Sequence, residues 1–304
     1  MKFCLNGLKI LVTGASGQLG SEFCKILKLG KCELGKLDVA LNYCEVFGLS
    51  SSELDVCDLK SVFNVVESIK PFCVVNCAAF TNVDGCEIQE EKAFKVNALG
   101  ARNLAIACEK FGVKLVQIST DYVFDGCSSK PYIEQNVINP QSVYGKSKAL
   151  GEFYVSSLCS RWFIVRTSWL YGAVGKNFVK TIAAAAKNKG KVKVVADQFG
   201  SPTNVCDLVF AVCRLICTSE FGIFHGSCNG SGTWFEFAKE IVECFKINAV
   251  VEPCMTSEFV RPAHRPVFSI MENLMFKLTV GDCFRHWKIA LQNFCSSVDL
   301  NDLI

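Results

Sequence analysis

An α/β fold, a doubly wound parallel sheet with a smaller C-terminal lobe, is predicted by three features of the sequence. The first half alternates short β-branched runs with longer segments of helical period. A glycine-rich turn joins the first run to the first helical segment, and the middle runs are apolar almost without interruption. Such alternation builds a parallel sheet with helices on both faces, and strands buried on both faces lose the polar half of their pattern.

Taken in order, Leu8 to Val12 is the first predicted strand and Gln18 to Leu29 the helix after it. Glu45 to Leu49 follows as a strand, Leu59 to Ile69 as a helix and Cys73 to Cys77 as a buried strand. Glu90 to Phe111 has the period of one long helix, Lys114 to Ser119 of a strand, Ser142 to Ser157 of a helix and Phe163 to Thr167 of a further strand. The rhythm then changes. Helical segments at Phe178 to Lys189, Cys206 to Thr218 and Trp234 to Phe245 are joined by loops that carry Pro202, Pro253, Pro262 and Pro266. No low-complexity linker separates the two halves, so they are expected to share a cleft.

Composition narrows the class of ligand. A net charge of +3 from 32 basic and 29 acidic side chains, with no basic stripe, predicts no nucleic-acid partner and favours a small molecule. The short apolar run Leu8 to Val12 enters a glycine turn directly and fits neither a signal peptide nor a membrane span, which predicts a cytoplasmic protein without a membrane partner. The 19 cysteines are odd in number and include no C-x-x-C pair, so neither a disulfide framework nor a zinc site is predicted. Cys24, Cys73, Cys77 and Cys108 fall in strand or helix patterns as small apolar fillers.

The turn after the first strand reads Thr13-Gly14-Ala15-Ser16-Gly17-Gln18-Leu19-Gly20. Gly14 permits a tight turn, Gly17 lets backbone amides approach a pyrophosphate, and Gly20 lets the helix pack closely. A strand before and a helix after this turn make it a dinucleotide-binding loop of the Rossmann type. Residues 1–167 are therefore the expected dinucleotide-binding domain, with later segments, roughly 190–225, returning to it. Residues 168–304 are expected to form most of a substrate lobe. The choice of dinucleotide falls on the residues after the second strand, where an acid favours NADH and a base NADPH. Ser50 and Ser51 are neither, and hydroxyls bond both groups, which predicts poor discrimination with a slight lean to NADPH. Asp55 and Val56 end the next short run beside the adenine; Asp55 could equally cap the helix from Leu59.

Tyr144 and Lys148 are four apart and share a helix face, and Thr120 ends a parallel strand, where ligands bind. Ketone reduction needs a hydride donor, a group that polarises the carbonyl oxygen and a proton donor for the alkoxide. Tyr144 can donate the proton, Lys148 can stabilise the phenolate and bond the nicotinamide ribose, and Thr120 can hold the carbonyl oxygen.

These residues carry a family resemblance. The glycine turn, Asn76-Cys77-Ala78-Ala79-Phe80-Thr81, Ser119-Thr120-Asp121-Tyr122-Val123-Phe124, Tyr144-Gly145-Lys146-Ser147-Lys148, Arg166-Thr167-Ser168-Trp169-Leu170-Tyr171 and Asp197-Gln198-Phe199-Gly200-Ser201-Pro202-Thr203 together resemble the dTDP-4-dehydrorhamnose reductase family, nearly the whole chain in order. The resemblance implies NADPH- or NADH-dependent reduction of the C4 ketone of a nucleotide-linked 4-keto-6-deoxy sugar, completing dTDP-L-rhamnose for cell-envelope polysaccharide; the alternatives are another nucleotide-sugar reductase or epimerase, or a non-catalytic NADP-binding regulatory subunit. It implies that Gly17, Gln18 and Leu19 hold the pyrophosphate, Asp55 and Val56 the adenine, and Ala79, Phe80 and Thr81 the nicotinamide side, with Gly14, Ser16, Ala78 and Ile118 as further cofactor-binding residues. Thr120, Asp121 and Trp169 would meet the sugar, with Asn177 and Arg265 further candidates for the sugar nucleotide. Some members bridge two subunits through a metal held by carboxylates. Glu22 matches one such position but the other is Cys206, so a monomer or a metal-independent homodimer is expected.

Overall fold

Six parallel strands form the central sheet of the computed structural model, which describes residues 7–303. In chain order the first half runs β1 (Lys9–Thr13), α1 (Gln18–Leu29), β2 (Glu45–Leu49), α2 (Leu59–Ile69), β3 (Cys73–Asn76), α3 (Val83–Ile88), α4 (Glu90–Phe94), α5 (Gly100–Phe111), β4 (Lys114–Thr120), α6 (Val143–Leu158) and β5 (Trp162–Thr167). After α7 (Phe178–Lys189) and α8 (Val205–Ile216) the chain returns as β6 (Gly222–His225), and α9 (Trp234–Cys244), α10 (Leu274–Thr279) and α11 (Trp287–Ser297) follow. The strand order is β6-β5-β4-β3-β1-β2, with every pair parallel. The order reverses at β1, so the turns after β1 and β3 diverge and leave a crevice at the carboxyl ends of the strands.

Alternate strand residues feed the two faces. Ile10, Val12, Val75, Val116 and Phe163 pack with α1 and α8, while Leu11, Val74, Leu115 and Ile164 pack with α2 and α5. Burying each such side chain contributes roughly 1.5–3 kcal/mol. A separate core of Tyr171, Ile182, Phe237, Trp287 and Phe294 lies under the second lobe.

The structure differs from the sequence-based expectations in five places. Residues 30–42, where no element was expected, contain a small hairpin, Lys31–Cys32 against Gly35–Lys36, and a single 3-10 turn, which lengthen the connection from α1 to β2. The long helix expected over Glu90 to Phe111 is broken into α4 and α5 by a π turn, Lys95–Leu99. Strand β6 is an unforeseen sixth strand, short and opened by Gly222. The cap of α2 is Asp58, whose Oδ1 accepts from Lys60 N at 3.0 Å, whereas Asp55 closes its own turn onto Cys57 N at 2.9 Å. Residues 190–225 divide: Lys191–Val195 pairs with Val250–Cys254 beside the second core, and only α8 and β6 join the sheet.

Candidate active site

A cleft of about 370 Å³ opens at the switch point between the two halves. One wall is the glycine turn. Gly14 has φ +64°, and a Cβ there would stand 2.8 Å from Ala78 N. A Cβ on Gly20 would strike Gly14 O and lie 2.9 Å from Ala15 Cα, so this glycine allows the helix to close on its own turn rather than on the sheet. Gly17 caps α1 without any side-chain hydrogen bond. The first-turn amides of α1 therefore remain available at a positive helix end facing the cleft, an arrangement suited to a pyrophosphate.

The opposite wall holds Tyr144 and Lys148 on α6 and Thr120 at the end of β4. Ser142 starts α6 by accepting from Gly145 N at 3.1 Å, which places Tyr144 in the first turn and Lys148 one turn on. Lys148 is 3% exposed and its Nζ donates to Ile118 O at 2.5 Å. Burial lowers its pKa to about 8, with the Glu152 carboxylate opposing that shift. Burial pushes the Tyr144 phenol up, and the neighbouring Thr120 hydroxyl opposes it. The sequence suggested that the ammonium would dominate the tyrosine; burial does instead. Asp121, beside Thr120, is raised to about 6 by burial, which the Ser269 and Thr120 hydroxyls oppose, Thr120 Oγ1 donating to Oδ1 at 2.9 Å. Its Oδ2 is buried with no hydrogen-bond partner among the described residues.

Trp169 closes the far side. Its φ of +47° is costly for a bulky residue and persists because the ring is fixed on both sides. The indole stacks on Trp234 at 3.5 Å, and a Cβ on Gly200 would stand 2.6 Å from its nitrogen. Trp169 is thus both a packed aromatic and a cleft wall. Asn177 lines the cleft as the buried cap of α7, its Nδ2 donating to Gln18 Oε1 at 2.9 Å and to Gly172 O at 2.8 Å. That bond ties the glycine-turn helix to the second lobe.

The cleft brings together Gly17, Gln18, Leu19, Ala78, Ala79, Thr81, Ile118, Thr120, Asp121, Tyr144, Lys148, Trp169 and Asn177. Other predicted residues lie outside its lining. Ser16 is exposed on the turn, and Ser50, Ser51, Asp55 and Val56 follow β2 at the edge of the sheet. Phe80 is held through its backbone by Asn97, and its ring lies under Lys92 Nζ at 4.8 Å. Arg265 pairs with Asp84 at 3.0 Å and donates to Tyr122 OH at 2.9 Å, so it supports a cleft residue without itself lining the cleft.

Sequence inspection passed over several polar residues. Asn97, in the π turn, accepts from Phe80 N and donates to Phe80 O and to Ser147 Oγ. Glu152 takes Arg166 through two bonds, 2.7 and 3.0 Å, and Ser119 Oγ at 2.5 Å, directly behind Lys148. Lys176 lines the cleft one residue before Asn177. The only signal for Glu152 was its place four residues after Lys148 on one helix face.

The model of the RmlD substrate binding domain family matches residues 8–300. The chain is 38% identical to the spore coat polysaccharide biosynthesis protein SpsK of Bacillus subtilis, covering 94% of this chain and 96% of that protein. Among solved structures it is similar to a dTDP-4-dehydrorhamnose reductase from Clostridium acetobutylicum (TM-score 0.90, 44% identity, 95% and 99% of the two chains). It is also similar to the Bacillus anthracis dTDP-4-dehydrorhamnose reductase in complex with NADP (TM-score 0.89, 39% identity, 96% and 100%).

Proposed function

From a chain that belongs to the dTDP-4-dehydrorhamnose reductase family, we propose NAD(P)H-dependent reduction of the C4 ketone of dTDP-4-dehydrorhamnose to dTDP-L-rhamnose, for polysaccharide synthesis. The observation that carries this reading is the convergence of Thr120, Tyr144 and Lys148 in one cleft with an uncapped helix N-terminus behind a glycine turn.

Hydride delivery is the chemistry that a reduced nicotinamide supplies when bound. The chain's own residues bind, orient and move the proton. The amides of Gln18 to Gly20 would hold the pyrophosphate beside the Gly17 backbone, whose own amide closes the turn onto Gly14 O, and Lys148 would face the ribose. Thr120 Oγ1 fixes the carbonyl oxygen, and Tyr144 gives its phenolic proton to the developing alkoxide. Burial keeps that phenol protonated until then, which suits an acid, and the Lys148 ammonium on the same helix face steadies the phenolate that remains. Asp121 Oδ2 accepts a sugar hydroxyl, Trp169 supplies an apolar wall, and Lys176 meets a phosphate of the nucleotide. The division falls near residue 167: the cofactor and the reacting carbonyl are met by residues before it, and Trp169, Lys176 and Asn177 after it complete the wall for the sugar nucleotide.

We place the protein in the cytoplasm as a monomer or metal-independent homodimer; no helix among the described residues is long and apolar enough to cross a membrane. The purified protein is incubated with NADPH and dTDP-4-dehydrorhamnose while nicotinamide absorbance is followed. One coenzyme oxidised per sugar reduced is expected. Isomerised sugar without net coenzyme consumption would replace the reductase with an epimerase.

A further inference from the structure

In a doubly wound sheet the adenosine ribose lies outside the carboxyl end of the strand next to the glycine turn, where an acidic side chain bonds the 2′-hydroxyl. Here that strand is β2: Leu49 stands in register with Thr13, and its carbonyl accepts from Ala15 N at 3.1 Å. The hairpin and 3-10 turn in residues 30–42 lengthen the connection before β2, so spacing from the glycine turn does not locate the position.

Ser50 to Glu53 form one tight turn at this strand end. Glu53 N and Leu54 N donate to Ser50 O at 3.1 and 2.9 Å. In return, Glu53 Oε2 accepts from Ser50 N at 2.8 Å and from Ser50 Oγ at 2.7 Å. The carboxylate is thereby folded back over the first residue beyond β2. Oε2 takes both bonds, which leaves Oε1 for a further donor such as a ribose hydroxyl. The two bonds from Ser50 hold the carboxyl below its usual range, so it is ionised at neutral pH.

The other acids nearby are engaged locally, Asp55 on Cys57 N and Asp58 on Lys60 N. Leu49 to Asp58 contains Glu53, Asp55 and Asp58 and no lysine or arginine. A 2′-phosphate would meet negative charge and no cation from this segment, whereas a 2′-hydroxyl would meet an acceptor. Serines alone would treat the two nearly alike.

We propose that Glu53 sets the coenzyme preference of this protein, accepting the ribose 2′-hydroxyl of NADH and disfavouring the 2′-phosphate of NADPH; the proposal rests on the nicotinamide-dependent reductase described above. Dissociation constants of NADH and NADPH are measured by nicotinamide fluorescence on the full chain, for the unmodified protein, Glu53→Gln and Glu53→Ala. The unmodified protein is expected to favour NADH. Glu53→Gln, which keeps an acceptor for Ser50 but removes the charge, should shift the ratio towards NADPH by about tenfold. A ratio unmoved in Glu53→Gln, or an equal loss of both coenzymes in Glu53→Ala, would assign Glu53 to the turn alone and overturn the proposal. Failure of the unmodified protein to bind either coenzyme would overturn the reductase assignment and this inference with it.

Discussion

Tyr144 and Lys148 share one dry wall of the cleft, and burial moves them in opposite senses, the phenol up and the ammonium down to about 8. The phenol holds its proton at neutral pH, so Tyr144→Phe removes the donor with little change of binding surface. Turnover should fall by about 10²–10⁴-fold while the coenzyme dissociation constant stays near that of the parent. Near-parental turnover would take Tyr144 out of the mechanism. For Lys148 the ammonium is present below about pH 8 and lost as pH rises through it, so kcat/KM should decline above about pH 8. Its ordinary value is 10.5, and between about 8 and 10.5 the unfolded chain binds a proton that the folded chain has released. Conformational stability from this group therefore rises with pH in the window where activity falls. A pH–rate profile flat to pH 10 would show that the charge is not needed. The spacing of this pair was legible in the sequence because one helical turn fixes it. Their protonation was not, because burial is decided by β4, β5 and α6 together.

Helices whose ends are punctuated were legible to the residue. Gln18–Leu29 stops at Gly30 with φ +64°, and Phe178–Lys189 runs from the Asn177 cap to Gly190, also at φ +64°. The π turn Lys95–Leu99 was not, since an extra residue within a turn leaves an apolar pattern that still looks helical. That turn delivers Asn97, 2% exposed, to both backbone groups of Phe80. Phe80 sits between Ala79 and Thr81, which line the cleft, so the π turn holds the cofactor wall from behind. Asn97→Ala would leave the partly buried Phe80 amide without its partner and the Phe80 carbonyl with only the Cys86 thiol, at a cost of about 0.5–1.5 kcal/mol. A lower denaturation midpoint together with weaker coenzyme binding is expected. A lower midpoint with unchanged binding would confine Asn97 to stability.

Across the whole molecule, five of the six sheet strands and the helices Phe178–Lys189 and Trp234–Cys244 were legible, whereas β6 and the aromatic wall of the second lobe were not, the latter for a reason visible in its packing. The aromatic wall is gathered from Trp169, Phe178, Trp234 and Phe237, residues with no common period. Assembly of copies presents the same problem, because it depends on which side chains reach the surface. The resemblance implies for some members a metal held between subunits by carboxylates at the positions of Glu22 and Cys206. Here Glu22 is in the second turn of α1 and pairs with Lys25 at 3.3 Å. Cys206 is 7% exposed, and the neighbouring Cys32 thiol and burial push its own thiol up, so that it keeps its proton. A hard divalent cation needs several oxygen ligands, and a buried, protonated thiol supplies none. Treatment with a chelator should leave both reductase turnover and the mass measured by light scattering unchanged. A dimer that dissociates on metal removal and reforms with magnesium would show that other carboxylates hold the ion and that Cys206 is irrelevant to assembly.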